Sequence, residues 1–357
     1  MLNLKAAGNI IISRWALLVL LTALVFAPAQ HALSQIPSPT PLTPPNYDFS
    51  SLTWLIEEWM TDLPLDGAAL IVVQHDTVIY EHGFGRFSTD SDVPIASGSK
   101  WLSAALLLTL VDEGQIALDE PISYTLPYFT GERGTITMRQ LLAHTSGLPL
   151  ADCIHDDTVT LAECVASIAE LELTARPGTA FAYGSSGFQV AGRIAEIAGG
   201  DSWNGLFAER IAGPLGMMNT QYEVTSNPTM AGGARSTAND YIRFLQMLLN
   251  DGQYNGVQVL SPDAVRMFTL DQSSGAPIAY TPHPKVTTRY GLGNWLEVIT
   301  DSGVGTQLSS PGSYGFTPWI DTGRDLAGVF VVMDTWAHVY LMTEEIHAEI
   351  NGIIDAA

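Results

Sequence analysis

A serine hydroxyl followed three residues later by a lysine, Ser97-Gly98-Ser99-Lys100, stands at the head of a long apolar run. Residues three apart share a helical face, so the Ser97 hydroxyl and the Lys100 amine can meet within hydrogen-bond distance, while Ser99 points to another face. A serine is nearly inert at neutral pH and needs a base. A lysine desolvated by an apolar helix has a lowered pKa and can take that proton. The start of a helix adds unpaired N–H groups and a positive dipole end, both favourable to an oxyanion. The chemistry these residues could do is nucleophilic attack on a carbonyl. Four residues do not establish it, and the flanking sequence has to decide.

The elements that would position this pair are legible around it. From Ser97 to about Glu113 the chain is apolar on nearly every face, so the helix lies in the centre of a domain and Ser97 at the inner end of a cleft. Leu52 to Leu63 has helical periodicity. Ala68 to Gln74 and Thr77 to Gly83 are β-branched runs around His75-Asp76, the pattern of a hairpin. Strand-like runs cluster at residues 68–84 and 314–334, helical runs fill the middle, and Val339 to Ile354 closes the chain as an amphipathic helix. This order predicts an α+β fold.

With 357 residues, 46% hydrophobic and 15% charged, the chain can bury a large core. Its net charge of −22, with 15 Lys and Arg and no basic run, excludes nucleic acid as a partner. No His-Glu-x-x-His occurs, the two cysteines are not arranged as a zinc site, and no Gly-x-Ser-x-Gly elbow is present, so no metal or other cofactor is implied. Residues 1–34 read as a signal peptide: Lys5 and Arg14, the apolar stretch Trp15 to Phe26, then Ala27-Pro28-Ala29 or Ala32-Leu33-Ser34 as cleavage sites. Twelve apolar residues are short for a bilayer span, and an uncleaved anchor is the alternative. Either way the body is exported, to a periplasmic or extracellular compartment, with no stable membrane span after cleavage. Residues 35–46 form a Pro-rich linker, and the folded part, 47–357, starts near Tyr47. Cys153 and Cys164 form a disulfide or are two unpaired core residues.

Beyond the Ser-x-x-Lys helix come Leu141-Leu142-Ala143-His144-Thr145-Ser146-Gly147-Leu148-Pro149, Pro177-Gly178-Thr179-Ala180-Phe181-Ala182-Tyr183, Pro214-Leu215-Gly216-Met217, the run from Ala231 to Asp240, and Tyr290-Gly291-Leu292-Gly293. In this order, from about residue 50 to 340, the chain resembles the serine β-lactamase-related family: class C β-lactamases, D-alanyl-D-alanine carboxypeptidases, family VIII carboxylesterases and aminohexanoate-oligomer hydrolases. The resemblance implies a β-lactamase/transpeptidase-like α/β sandwich. An antiparallel sheet of N- and C-terminal strands is flanked by the terminal helices, a mostly helical lobe is inserted at about 97–285, and the active site lies between the lobes.

The resemblance also implies roles. Ser97 is the nucleophile and Lys100 the base or proton relay. Tyr183 of Tyr183-Gly184-Ser185 matches the family's Tyr-x-Asn and shares the proton, its phenol lowered by neighbouring cations or N–H donors. Ser185 replaces the Asn, keeping a hydroxyl able to bond Lys100 but losing the amide that grips a substrate carbonyl. Ser310-Pro311-Gly312 stands for the third motif, with no cation at Ser310. Gly312 lets substrate approach the backbone, and the Ser313 and Ser97 N–H groups form the oxyanion hole. His144 reads as a satisfied turn histidine, and Arg235 and Asp240 as structural. The expected activity is an exported serine hydrolase acting through an acyl-enzyme on a small-molecule ester, amide or peptide. Esters are preferred, because a buried substrate carboxylate needs a cation that only Arg289 or Lys285 could bring. The alternatives are a wall carboxypeptidase or β-lactamase, and a catalytically silent muropeptide-binding protein.

Overall fold

The computed structural model describes residues 47–357 apart from 274, 284 and 286–288; the signal-peptide and linker readings, residues 1–46, lie outside the described residues. Helix α1 (Ser50–Asp62) leads into strand β1 (Gly67–Gln74), which is buried along its whole length. His75 and Asp76, at φ 47° and 58°, turn the chain into β2 (Thr77–Gly85). Both central residues take positive φ, the geometry that matches the right-handed twist of the flanking strands.

The chain then leaves the sheet for a series of helices, among them α2 (Ser99–Asp112), α3 (Leu161–Glu170), α4 (Ser186–Gly199) and α5 (Ala238–Leu249). It returns through β3 (Arg289–Tyr290), β4 (Trp295–Ile299), β5 (Gly305–Ser309), β6 (Phe316–Asp321) and β7 (Leu326–Val332), and ends in α6 (Trp336–Asp355). The sheet order is β3-β4-β5-β6-β7-β1-β2, antiparallel throughout. The two ends of the chain meet where β1 pairs with β7, Ala68 opposite Val332. The fold is therefore the expected antiparallel sheet built from both ends of the chain.

Alternation along β1 explains the layers. Ala68, Leu70 and Val72 face a cluster with Leu52 and Ile56 of α1 and Val339, Met342, Ile346 and Ile350 of α6. Ala69, Ile71 and Val73 face the larger cluster that contains α2 and Phe244 and Leu245 of α5. Apolar residues on both faces of one strand require a layer on each side, which is why β1 reads as a continuous apolar run. Helix α2 is buried from Ser99 to Leu110. Among the described residues no helix is long and apolar enough to cross a membrane.

Candidate active site

Ser97 sits in a short 3-10 turn, Ala96–Gly98, and α2 begins only at Ser99, two residues later than the sequence reading has it. The turn starts with Ala96 at φ 44°, a left-handed conformation that a residue with a Cβ adopts only when its surroundings hold it. Several bonds hold it. The buried Ser99 hydroxyl donates to Ala96 O at 2.7 Å and accepts the Ala234 N–H at 3.0 Å. Tyr241 donates to Gly98 O at 2.8 Å. Ser99 does point away from the Ser97 face, yet it fastens the turn that presents Ser97.

Lys100 is 3% exposed. It donates to Ser97 Oγ at 3.1 Å and to Ala231 O at 2.8 Å, and its nitrogen lies 4.7 Å from the Tyr183 ring centroid and 5.8 Å from that of Phe188. Ala231 opens the stretch in which Arg235 and Ser236 pair with Pro94 and Val93. Burial pulls the Lys100 pKa from 10.5 down to about 7, because a carbonyl, a hydroxyl and two ring faces replace little of the water an ammonium loses. A base that is half neutral near pH 7 therefore stands beside the hydroxyl.

Burial pushes the Tyr183 phenol up, opposite to the lowering expected from sequence, and the neighbouring Ser97 side chain offsets this only in part. Tyr183 stacks on Trp295 at 5.3 Å and packs on His144 at 4.4 Å. His144, at φ 58°, is more than a satisfied turn residue. Its Nδ1 accepts the Gly184 N–H at 3.3 Å, beside Tyr183, while its buried Nε2 has no partner among the described residues. Burial first, and then the Lys100 charge, hold its pKa well below the ordinary value, so the ring is neutral.

Three sequence readings need correction. Ser185 lines the same cleft as Ser97 and Lys100, but the Lys100 bonds go to Ser97 and Ala231, and the expected Ser185–Lys100 bond is not made. Ser310 turns away from the cleft, because its hydroxyl donates to Ser97 O at 3.2 Å and Gly293 O at 3.0 Å. It braces the turn and does not face substrate. Gly312 is required by the chain itself: a Cβ there would lie 2.2 Å from Ile95 O. Ser313, by contrast, is exposed and borders the cleft beside Ser97 as expected.

The cleft has two compartments meeting at Ser97 and Ser313. One, about 210 Å³, is walled by Tyr183, Tyr280, Pro282, His283, Trp295, Pro311 and Trp336, with no Lys or Arg among the described lining residues. The other, about 790 Å³, is the more polar of the two and includes His155, Glu223 and Arg235. Arg235, read as structural, is thus a cation on the cleft wall, though its Nε pairs with Asp92 at 3.2 Å and its Nη2 donates to Asp92 O at 2.8 Å. Lys285 pairs with Glu344 at 2.7 Å, and neither it nor Arg289 lines either compartment. Asp240 is structural, accepting the Asn219 N–H at 2.6 Å. Cys153 and Cys164 form a disulfide. Among the described residues no group of three His, Cys, Asp or Glu is placed to hold a metal.

Comparison with known proteins agrees with this geometry. Residues 54–335 match the family described as Beta-lactamase. Protein Rv1367c of Mycobacterium tuberculosis (strain ATCC 25618 / H37Rv) is 28% identical over 323 residues, 71% of this chain and 80% of that protein. A solved structure from Bacteroides dorei DSM 17855, assigned as a beta-lactamase, aligns at a TM-score of 0.73 with 36% identity, covering 80% of this chain and 91% of that one. Two others share the fold. A family VIII carboxylesterase aligns at 0.67 with 17% identity over 82% and 93% of the two chains. The octameric penicillin-binding protein homologue from Pyrococcus abyssi aligns at 0.70 with 20% identity over 85% and 78%. A family match over most of the chain, joined to a buried lysine bonded to a cleft serine, identifies this protein as a member of the beta-lactamase family of serine hydrolases.

Proposed function

We propose that this protein is an exported esterase acting through an acyl-enzyme on Ser97. The observation that carries the reading is Lys100, buried, 3.1 Å from the Ser97 hydroxyl and poised near pH 7. As a neutral amine it takes the Ser97 proton while the oxygen attacks the ester carbonyl. The Ser97 and Ser313 N–H groups hold the oxyanion, and Tyr183, a protonated phenol, passes a proton to the departing alcohol. The Lys100 ammonium returns its proton to Tyr183, so that Lys100 is again a neutral base when water attacks the acyl-enzyme and releases the acid. The ester preference rests on the aromatic compartment, which offers a substrate carboxylate no Lys or Arg. Export rests on residues 1–34 and on the Cys153–Cys164 bridge, since disulfides persist in oxidising compartments.

A second reading, a wall carboxypeptidase or β-lactamase, has one observation in its favour: Arg235 on the polar wall could meet a carboxylate by leaving Asp92. The test compares kcat/KM for p-nitrophenyl butyrate, nitrocefin and a D-Ala-D-Ala peptide. The ester should lead by at least about 100-fold, the cost of a carboxylate left without a partner. Comparable values that collapse in Arg235→Ala would transfer the assignment to the second reading.

A further inference from the structure

The three N–H groups around Tyr183 are each tied down, and two of the ties lead to one residue. Ala182 N–H donates to His144 O at 2.9 Å, Tyr183 N–H to Tyr280 O at 3.1 Å, and Gly184 N–H to His144 Nδ1 at 3.3 Å. The main chain of His144 therefore holds the residue before Tyr183, and its ring holds the residue after. That ring also packs on the phenol itself, with centroids 4.4 Å apart.

Local structure does not ask for an imidazole at this position. His144 follows the short helix Met138–Leu142, and the Thr145 N–H returns to Gln140 O at 2.9 Å, a helix ending that puts residue 144 at φ 58°. Glycine is the usual occupant of such a place, because a Cβ costs energy there. His144 is nevertheless buried, enclosed by the rings of Tyr183, Tyr290, Phe188 and Phe181. Its ring is neutral, so with Nδ1 accepting from Gly184 the ring proton is on Nε2. Four aromatic neighbours thus hold an acceptor against the N–H that follows the phenol.

We infer that His144 is a positioning residue for proton transfer by Tyr183: its Nδ1, through the Gly184 N–H, fixes the loop so that the phenol stays at the cleft wall beside Ser97, where a departing alkoxide needs a proton. The inference rests on the role of Tyr183 proposed above.

The test measures kcat/KM for ethyl butyrate and for p-nitrophenyl butyrate. Ethoxide must gain a proton as it leaves, whereas p-nitrophenolate leaves unaided. In Tyr183→Phe the ratio of the ethyl to the p-nitrophenyl value should fall at least about tenfold, and His144→Phe, which keeps a ring but loses the acceptor, should show the same split. His144→Asn, whose amide oxygen can replace Nδ1 and which tolerates positive φ, should restore most of the ratio. In the double variant His144→Phe/Tyr183→Phe the ratio should fall no further than in Tyr183→Phe, since one residue acts through the other. A split in Tyr183→Phe with none in His144→Phe, equally lowered ratios in His144→Phe and His144→Asn, or additive losses in the double variant would overturn this inference alone. No split in Tyr183→Phe would overturn it together with the role of Tyr183 on which it rests. If His144→Phe does not fold, His144→Gly, suited to the positive φ and also without the acceptor, takes its place in each comparison.

Discussion

Lys100 reaches its working pKa through what surrounds it: two oxygen acceptors, two ring faces and no carboxylate. The sign of the pH dependence follows. Below about 7 the amine is protonated and cannot take the Ser97 proton, so kcat/KM for an ester should rise as pH passes upward through about 7. A profile flat from about pH 6 to 9 would show that another group is the base. The same lowered pKa means the unfolded chain binds more protons than the folded one between about 7 and 10.5, so this group makes stability rise with pH across that window. Ser97 and Lys100 were legible in the sequence because their contact is local, three residues apart on one face. The directions of Ser185 and Ser310 were not, because the oxygens that decide them, Ala231 O for Lys100 and Gly293 O for Ser310, come from remote segments. Tyr183 was placed correctly and its shift was not, since burial is a property of the packed site.

At the scale of elements, the turn that presents Ser97 is held against the segment after β5, and Gly312 is the point of closest approach. Gly312→Ala should lower both stability and ester hydrolysis, since the added Cβ meets a backbone oxygen that no rotamer can move aside. Wild-type Tm and rate in that variant would contradict the packing described. Replacing both Cys153 and Cys164 with Ala should cost about 2–3 kcal/mol in chemical unfolding by the chain-entropy argument for a loop of this size. Titration of the denatured, unreduced parent protein should find no reactive thiol. The hairpin at His75-Asp76 was readable because turn residues separate two β-branched runs. Strands β4 and β5 were not, because register shifts between Leu296 and Val298 and between Val298 and Ile299 break the alternation that marks a strand.

On the scale of the whole molecule, one sheet made from both ends of the chain carries Ser313 after β5, while the region between β2 and β3 carries Ser97 in a turn, Lys100 on α2 and Tyr183 in the loop before α4. The family motifs made that architecture legible. The aromatic compartment was not, because Tyr183, Tyr280, Trp295 and Trp336 are scattered over more than a hundred residues of sequence and only the fold gathers them. The central claim is that this assembly makes Ser97 a nucleophile, and the most direct measurement is intact-protein and peptide mass spectrometry after treatment with a fluorophosphonate. One phosphonyl group should appear on the parent protein, on the peptide containing Ser97, and none on Ser97→Ala. An unlabelled parent protein, or a Ser97→Ala variant labelled to the same extent, would contradict the account.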